Sequence, residues 1–425
     1  MRRSAVSRRD RTMRPPRPSA HRPFPGNAPA LPDPVGSESV AELIGRGVAL
    51  CCERQWGSGL QALFLTGSLA RGEATLSREG RCCRVIGDAE FLAIFDAKTG
   101  LPSRPALDEV AMAAEFWLQA RGCRCAVTIS AAHPRYLRRL PPHIFGYELR
   151  RWGRAVLGDA AILSLIPACD PRALPAEDAW GLLSNRIVEH LGQLAACAWT
   201  GHTLPPDLAY STVKLGVDMA TSYLVFAGAY APSYRERATR LAAMAGAGPR
   251  LRAPVPLSAL SRLVTQCTDL KLGRADLTGL DWGFWRSVVE AATSMWPWEL
   301  GRIVETEDNS WRAAWQRLAR RTSKPRRWRS WAGALRRCPS ARTRRVLALV
   351  AHATPRQLIY RAAYLLLGEA PLMMDAPADA SSRHAAEIAD CLPILAPWRA
   401  PAPSWRELAL AVESNYRALL THTRS

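Results

Sequence analysis

Lysine is almost absent from this chain. Only Lys98, Lys214, Lys271 and Lys324 occur among 57 basic residues, so the formal net charge of +20 is carried by arginine. With the heavy use of Ala and Pro, this bias reads as GC-rich coding, and it weakens the high pI as a sign of a nucleic-acid partner. Long apolar runs are also missing. The longest, such as Tyr223 to Tyr230, fall far short of the roughly 18 residues a membrane span needs, so no span and no membrane partner are expected. The eleven cysteines contain no CxxC pair and no zinc-like spacing to a histidine, a pattern expected of reduced thiols in a bacterial cytoplasm. No apolar stretch follows Arg8-Arg9, so no secretory signal is expected either. The phosphate-binding patterns G-x-x-x-x-G-K-[ST] and G-x-G-x-x-G do not occur, which leaves P-loop and Rossmann sites unsupported.

What is present is enough chain for two or three domains, 425 residues with 48% hydrophobic content. The charge is local. Residues 1–36 hold eight Arg against Asp10 and Asp33, and residues 312–345 hold thirteen Lys and Arg against no acid. The first of these reads as a disordered basic tail. From Ser37, a possible helix cap, apolar residues Val40, Leu43, Ile44, Val48 and Cys51 fall on one helical face ending near Gly57. Strands follow at Leu60–Leu65, Phe91–Phe95 and Cys123–Ala131, with a helix over 107–121 and another ending near Arg151. Beyond Pro175 only helical periodicity remains. The expected division is an α/β unit over 37–165, a helical domain over 166–310, a basic Trp- and Arg-rich segment over 311–345 and a helical segment over 346–425.

The chemistry concentrates in Phe64-Leu65-Thr66-Gly67-Ser68-Leu69-Ala70-Arg71-Gly72-Glu73 and in Gly87-Asp88-Ala89-Glu90-Phe91-Leu92. Carboxylates two residues apart on a strand project from one face, because side chains alternate. Asp88 and Glu90 therefore form a seat for a divalent cation. Mg2+ takes hard oxygen ligands and favours one or two carboxylates completed by substrate phosphates. Upstream, the Gly67-Ser68 turn offers backbone N–H groups and a hydroxyl where a phosphate can approach closely. Downstream, Tyr210, Lys214 and Asp218 share one helical face, which suits either a phosphate contact from Lys214 or a Lys214/Asp218 surface pair.

A strand, Gly-Ser, a spacer, then acid-apolar-acid resembles the DNA polymerase beta-like nucleotidyltransferase superfamily over roughly residues 40–160. The resemblance implies an α+β fold, a mixed sheet with flanking helices, followed here by an all-α region. It implies that Gly67, Ser68 and Arg71 face a nucleoside triphosphate, that Asp88 and Glu90 are catalytic and hold Mg2+, and that Lys214 reaches the triphosphate. Two features depart from the family pattern. The spacer between Ser68 and Asp88 is nineteen residues, so the loop around Glu79 to Val85 reads as an insertion. The third carboxylate, which the family places on the next strand, is missing: that strand reads Cys125-Ala126-Val127-Thr128-Ile129-Ser130. Either two acids suffice, or Glu73 or Glu148 substitutes, or the domain binds nucleotide without turnover. The implied reaction transfers a nucleoside monophosphate to an acceptor hydroxyl and releases pyrophosphate. A small-molecule acceptor suits the nearly neutral cleft domain, and an RNA end suits the basic 311–345 segment.

Overall fold

The computed structural model describes residues 39–79, 82–248, 251–306, 310–337, 349–374, 376–377, 380–392 and 403–420. The expected basic tail at 1–36 and the cap expected at Ser37 lie outside the described residues. Helix α1 (Val40–Trp56) instead starts from Ser39. Its hydroxyl accepts from the Glu42 amide while the Glu42 carboxylate accepts from the Ser39 amide, satisfying two orphan donors at once. The α/β unit continues through β1 (Leu60–Thr66), α2 (Gly67–Ala70), β2 (Thr75–Glu79), β3 (Cys82–Phe95), α3 (Arg104–Gln119), β4 (Cys123–Ala132), α4 (Pro134–Leu137), α5 (Ile144–Trp152) and β5 (Arg154–Gly158).

These five strands make one mixed sheet. The pairs β1–β3, β1–β5 and β2–β3 are antiparallel, and β3–β4 is parallel. Strand β3 is its spine: its first half pairs with β2 and its second half with β1, while β4 follows the opposite edge. Within the region expected as an inserted loop, Glu79 to Val85, Glu79 instead ends β2 and Cys82 to Val85 begin β3, paired with it antiparallel. Interspersed arginines disguise it, yet Thr75, Val85 and Ile86 suit an extended backbone. Strand β5 was not expected, because so short an apolar run carries no clear period.

Alternation along β3 assigns its two faces. Ala89, Phe91, Ala93 and Phe95 pack with Ile44, Val48, Leu107 and Leu118 from α1 and α3. Leu92 and Ile94 pack on the other side with Phe64, Leu137, Leu149 and Leu163. Because side chains alternate, Asp88 and Glu90 share this second face, at the end of the strand that leaves the apolar core.

The rest of the chain is helical: α6 (Ala176–Ala196), α7 (Pro206–Phe226), α8 (Tyr234–Ala247), α9 (Leu257–Lys271), α10 (Trp282–Ile303), α11 (Trp311–Arg321), α12 (Lys324–Arg337), α13 (Pro355–Met373), α14 (Ala385–Cys391) and α15 (Trp405–Leu420). Among the described residues beyond 175, extended pairing is limited to two isolated bridges, Thr203 with Asp281 and Ser381 with Ser404. No helix of the described residues is long and apolar enough to cross a membrane. Four fully buried tryptophans anchor this half, and each indole N–H is satisfied: Trp285 by His190 Nε2 (2.9 Å), Trp296 by Ser184 Oγ (2.9 Å), Trp331 by the Ala353 carbonyl (2.8 Å) and Trp405 by the Leu366 carbonyl (3.1 Å). Burial of each indole is worth about 4–6 kcal/mol as an upper bound. Since Nε2 of His190 accepts, its Nδ1–H donates to Ser211 Oγ (3.0 Å). Burial pushes the imidazole down to about 3, so it stays neutral.

Candidate functional site

The Gly67 turn is built for close approach. Gly67 has φ +67°, and a Cβ there would lie 3.0 Å from Glu90 Oε2. Thr66 ties the turn to β3 by donating its hydroxyl to the Glu90 carbonyl (3.2 Å). Gly67, Glu90, Arg71 and Glu148 line a small hollow of about 30 Å³, close to the room one water takes. Ser68 lies beside the turn, its carbonyl accepting from the Glu73 amide (2.8 Å), and faces neither this hollow nor the larger cavity.

Asp88 opens instead into a cavity of about 960 Å³ between the sheet and helices α6, α7 and α15. The pairing register between β3 and β4 slips between Arg84 and Asp88, and Gly87 there takes φ +111°. A Cβ on Gly87 would sit 2.9 Å from the Tyr210 hydroxyl, so glycine lets α7 close down on the strand. Across the parallel pair, Ala126 is opposite Asp88 and Thr128 opposite Glu90. Thr128 donates its hydroxyl to Asp88 Oδ2 (3.1 Å). Ala126 is exposed and lines the cavity, which places a methyl group where a third carboxylate would join the pair.

Lys214 stands in the opposite wall. Its ammonium lies 5.6 Å from the Tyr210 ring centre, and burial, followed by the nearby Arg186 charge, lowers its pKa. The surface pair with Asp218 does not form. Asp218 is buried and accepts from Arg186 Nε at 2.7 Å, and Arg186 also engages Glu189. Lys214 has no carboxylate within ion-pair distance among the described residues. Arg186 on α6 and Arg84 and Arg124 on the sheet also line this cavity. Glu115 lines it as well, and accepts from the Val127 amide on the open edge of β4 (2.8 Å).

Arg71, Glu73 and Glu148 are occupied elsewhere. Arg71 Nη1 donates to Glu148 (2.9 Å), its Nε donates to Glu73 (3.3 Å), and its side chain is 4% exposed. Burial opposes its charge, but Glu148, Tyr234 and Glu73 outweigh burial and hold it protonated. Glu73 caps α8, accepting from Ser233 Oγ (2.6 Å) and the Tyr234 amide (2.9 Å). Glu148 accepts from Arg71, from Arg237 (2.7 Å) and from the Tyr230 hydroxyl. Glu73 accepts four hydrogen bonds and has no lone pair to spare, and Glu148, with one lone pair left on Oε2, lines the small hollow and not the Asp88 cavity.

Among the sequence candidates, Asp88 and Lys214 share the large cavity, while Gly67, Arg71 and Glu90 share the small hollow beside it. Lys271 was missed. It is 2% exposed on α9 and donates to Tyr210 Oη (2.7 Å) and Thr75 Oγ1 (3.1 Å), pinning the helical half to β2. Burial, then Lys214 and Arg186, bring its pKa down to about 7. Its scarcity as a lysine was the available signal. Among the described residues no cluster of three or more His, Cys, Asp or Glu side chains is arranged around a cation. Asp88 and Glu90 are the two carboxylates that could hold a hard cation, and waters and phosphate oxygens would have to complete its shell. No protein-family model matches the chain, and no curated protein sequence matches it either.

Proposed function

We propose that the chain is a nucleotidyltransferase of the polymerase beta-like type, which moves a nucleoside monophosphate from a nucleoside triphosphate to an acceptor hydroxyl. The observation that carries this reading is that Asp88 and Glu90 alternate onto one face of β3, Glu90 beside the Gly67 turn and Asp88 in a large cavity that Lys214 also lines. The two carboxylates would hold Mg2+, which when bound neutralises triphosphate charge. Lys214, short of a counter-ion among the described residues and partly desolvated, suits a phosphate better than water does. Arg84 and Arg124 add to that attraction from the sheet side of the cavity. The cavity volume leaves room for a small acceptor next to the triphosphate.

Ala126 opposite Asp88 favours a second reading, a domain that binds triphosphate and regulates by it without turnover. Calorimetry with a panel of nucleoside triphosphates tests the shared part. Binding is expected only with Mg2+, lost in Asp88→Ala combined with Glu90→Ala, and weakened about tenfold or more in Lys214→Met, the loss expected of a charged hydrogen bond. Equal affinity with and without Mg2+ sinks both readings. Transfer of a radiolabelled α-phosphate into small-molecule acceptors separates them, since the regulator binds and transfers nothing.

A further inference from the structure

The basic segment that the sequence presents as a run of arginines is a pair of amphipathic helices, α11 and α12, joined by Thr322-Ser323. Their apolar faces are spent inward. Ala314, Trp315, Leu318, Ala319, Trp331 and Ala334 are buried in the helical core. The Trp331 indole bonds the Ala353 carbonyl, and Arg321 donates to the carbonyls of Ile303 (2.7 Å) and Val304 (3.1 Å) at the end of α10. These contacts tie both helices to the helical core.

This surface gathers cations densely. Some exposed arginines elsewhere find acids one turn away, Arg104 with Asp108, Arg240 with Glu236 and Arg417 with Glu413, while others, such as Arg135, Arg138 and Arg151, do not among the described residues. On α11 and α12, Arg317, Arg320, Lys324, Arg326 and Arg329 are exposed with no carboxylate in ion-pair distance among the described residues. None of them lines the large cavity. Trp328, set between Arg326 and Arg329 in sequence, is 52% exposed while its neighbours Trp315 and Trp331 are buried. Uncompensated cations repel one another and raise the free energy of the surface until a polyanion arrives. An exposed indole among them adds a flat π face.

We propose that the outer face of α11 and α12 binds a single-stranded nucleic acid, with Lys324, Arg326 and Arg329 on its phosphates and Trp328 stacked on a base. A single strand offers unstacked bases to the indole, and a duplex does not. An anionic membrane is a poorer fit, because an interfacial helix must present a broad apolar face and both helices bury theirs. This site is separate from the Asp88 cavity and does not depend on its chemistry.

The test uses the full chain, so the eight arginines of residues 1–36 are present in every variant. A fluorescently labelled mixed-sequence RNA strand, its duplex and phosphatidylserine vesicles are titrated across a salt series. Single-strand binding is expected to be tightest. Neutralising three cations with Lys324→Gln, Arg326→Gln and Arg329→Gln should reduce the slope of log affinity against log salt by about 2, at about 0.7 per phosphate released. Trp328→Ala should weaken binding about tenfold and leave the slope unchanged. Circular dichroism confirms that these exposed substitutions leave the helices intact. Unchanged affinity and slope in the triple variant would trace any binding to the terminal arginines and overturn the proposal. Tighter binding to duplex or to vesicles than to the single strand overturns it equally.

Discussion

Glu299 sits in the middle of α10 with no exposure at all. Neither carboxyl oxygen has a hydrogen bond of ordinary geometry among the described residues, and the Ser222 hydroxyl favours its charge less than burial opposes it. Burial therefore drives the acid up from 4.5 to about 8, and the folded protein carries it protonated at neutral pH. In the unfolded chain the same group ionises near its ordinary value. Between these limits the native state binds one proton more than the unfolded state, so stability falls as pH rises. Its contribution is fully present below pH 4.5 and is lost progressively up to about pH 8. At about 1.4 kcal/mol per pH unit, the loss across the window is roughly 4–5 kcal/mol. Glu299→Gln keeps the shape and removes the titration. Urea denaturation of both proteins from about pH 5 to about pH 8 should give similar stability at the acid end and a growing advantage for the glutamine variant towards pH 8. His190, neutral in the fold and protonated below its ordinary pKa when unfolded, tilts both curves alike and cancels in the difference. A stability difference that stays flat across the range would refute the assignment of a neutral Glu299.

Two further outcomes follow from the site. Ala126→Asp places a carboxylate in the cavity opposite Asp88, and general-base help of about a hundredfold or more should then raise the rate of labelled α-phosphate transfer. A rate no higher than wild type, with triphosphate affinity retained, favours the regulator. Glu148→Leu strips one acid from two buried arginines, Arg71 and Arg237, and should cost about 3–5 kcal/mol in urea denaturation. A cost below about 1 kcal/mol would mean that these guanidiniums find other partners.

Local pattern carried much of this architecture. Strand β1 and the second half of β3 announce themselves as apolar runs bounded by turns, and α6 and α7 by long helical periods with prolines at their starts. Asp88 and Glu90 were legible because strand alternation is a short-range rule. What sequence could not deliver depends on contacts between residues far apart in the chain. Thr75 and Lys271 are 196 positions apart, and only the fold reveals that this lysine is buried against a strand. Arg71 looks like a phosphate ligand beside a Gly-Ser turn, and it is Glu148, 77 positions away, that claims it. The hairpin of β2 and β3 was hidden because its exposed positions are arginines, which local propensity reads as loop.

Helix α15 supplies Glu413, Tyr416 and Arg417 to the cavity wall, and it is the last described helix of the chain. It docks on α6 through Arg406, which donates to the carbonyls of Ala195 (3.1 Å) and Cys197 (2.8 Å), and through Gly192, whose missing side chain leaves space for Glu413. Arg406 follows Ala195 by 211 residues, so at about 5–20 residues per second a ribosome takes roughly 10–40 s to deliver it after α6 has emerged. Until then the cleft lacks the part of its wall that Glu413, Tyr416 and Arg417 supply. A ligand that touches Glu413, Tyr416 or Arg417 would therefore bind more tightly once α15 has docked, and its binding would stabilise that docking.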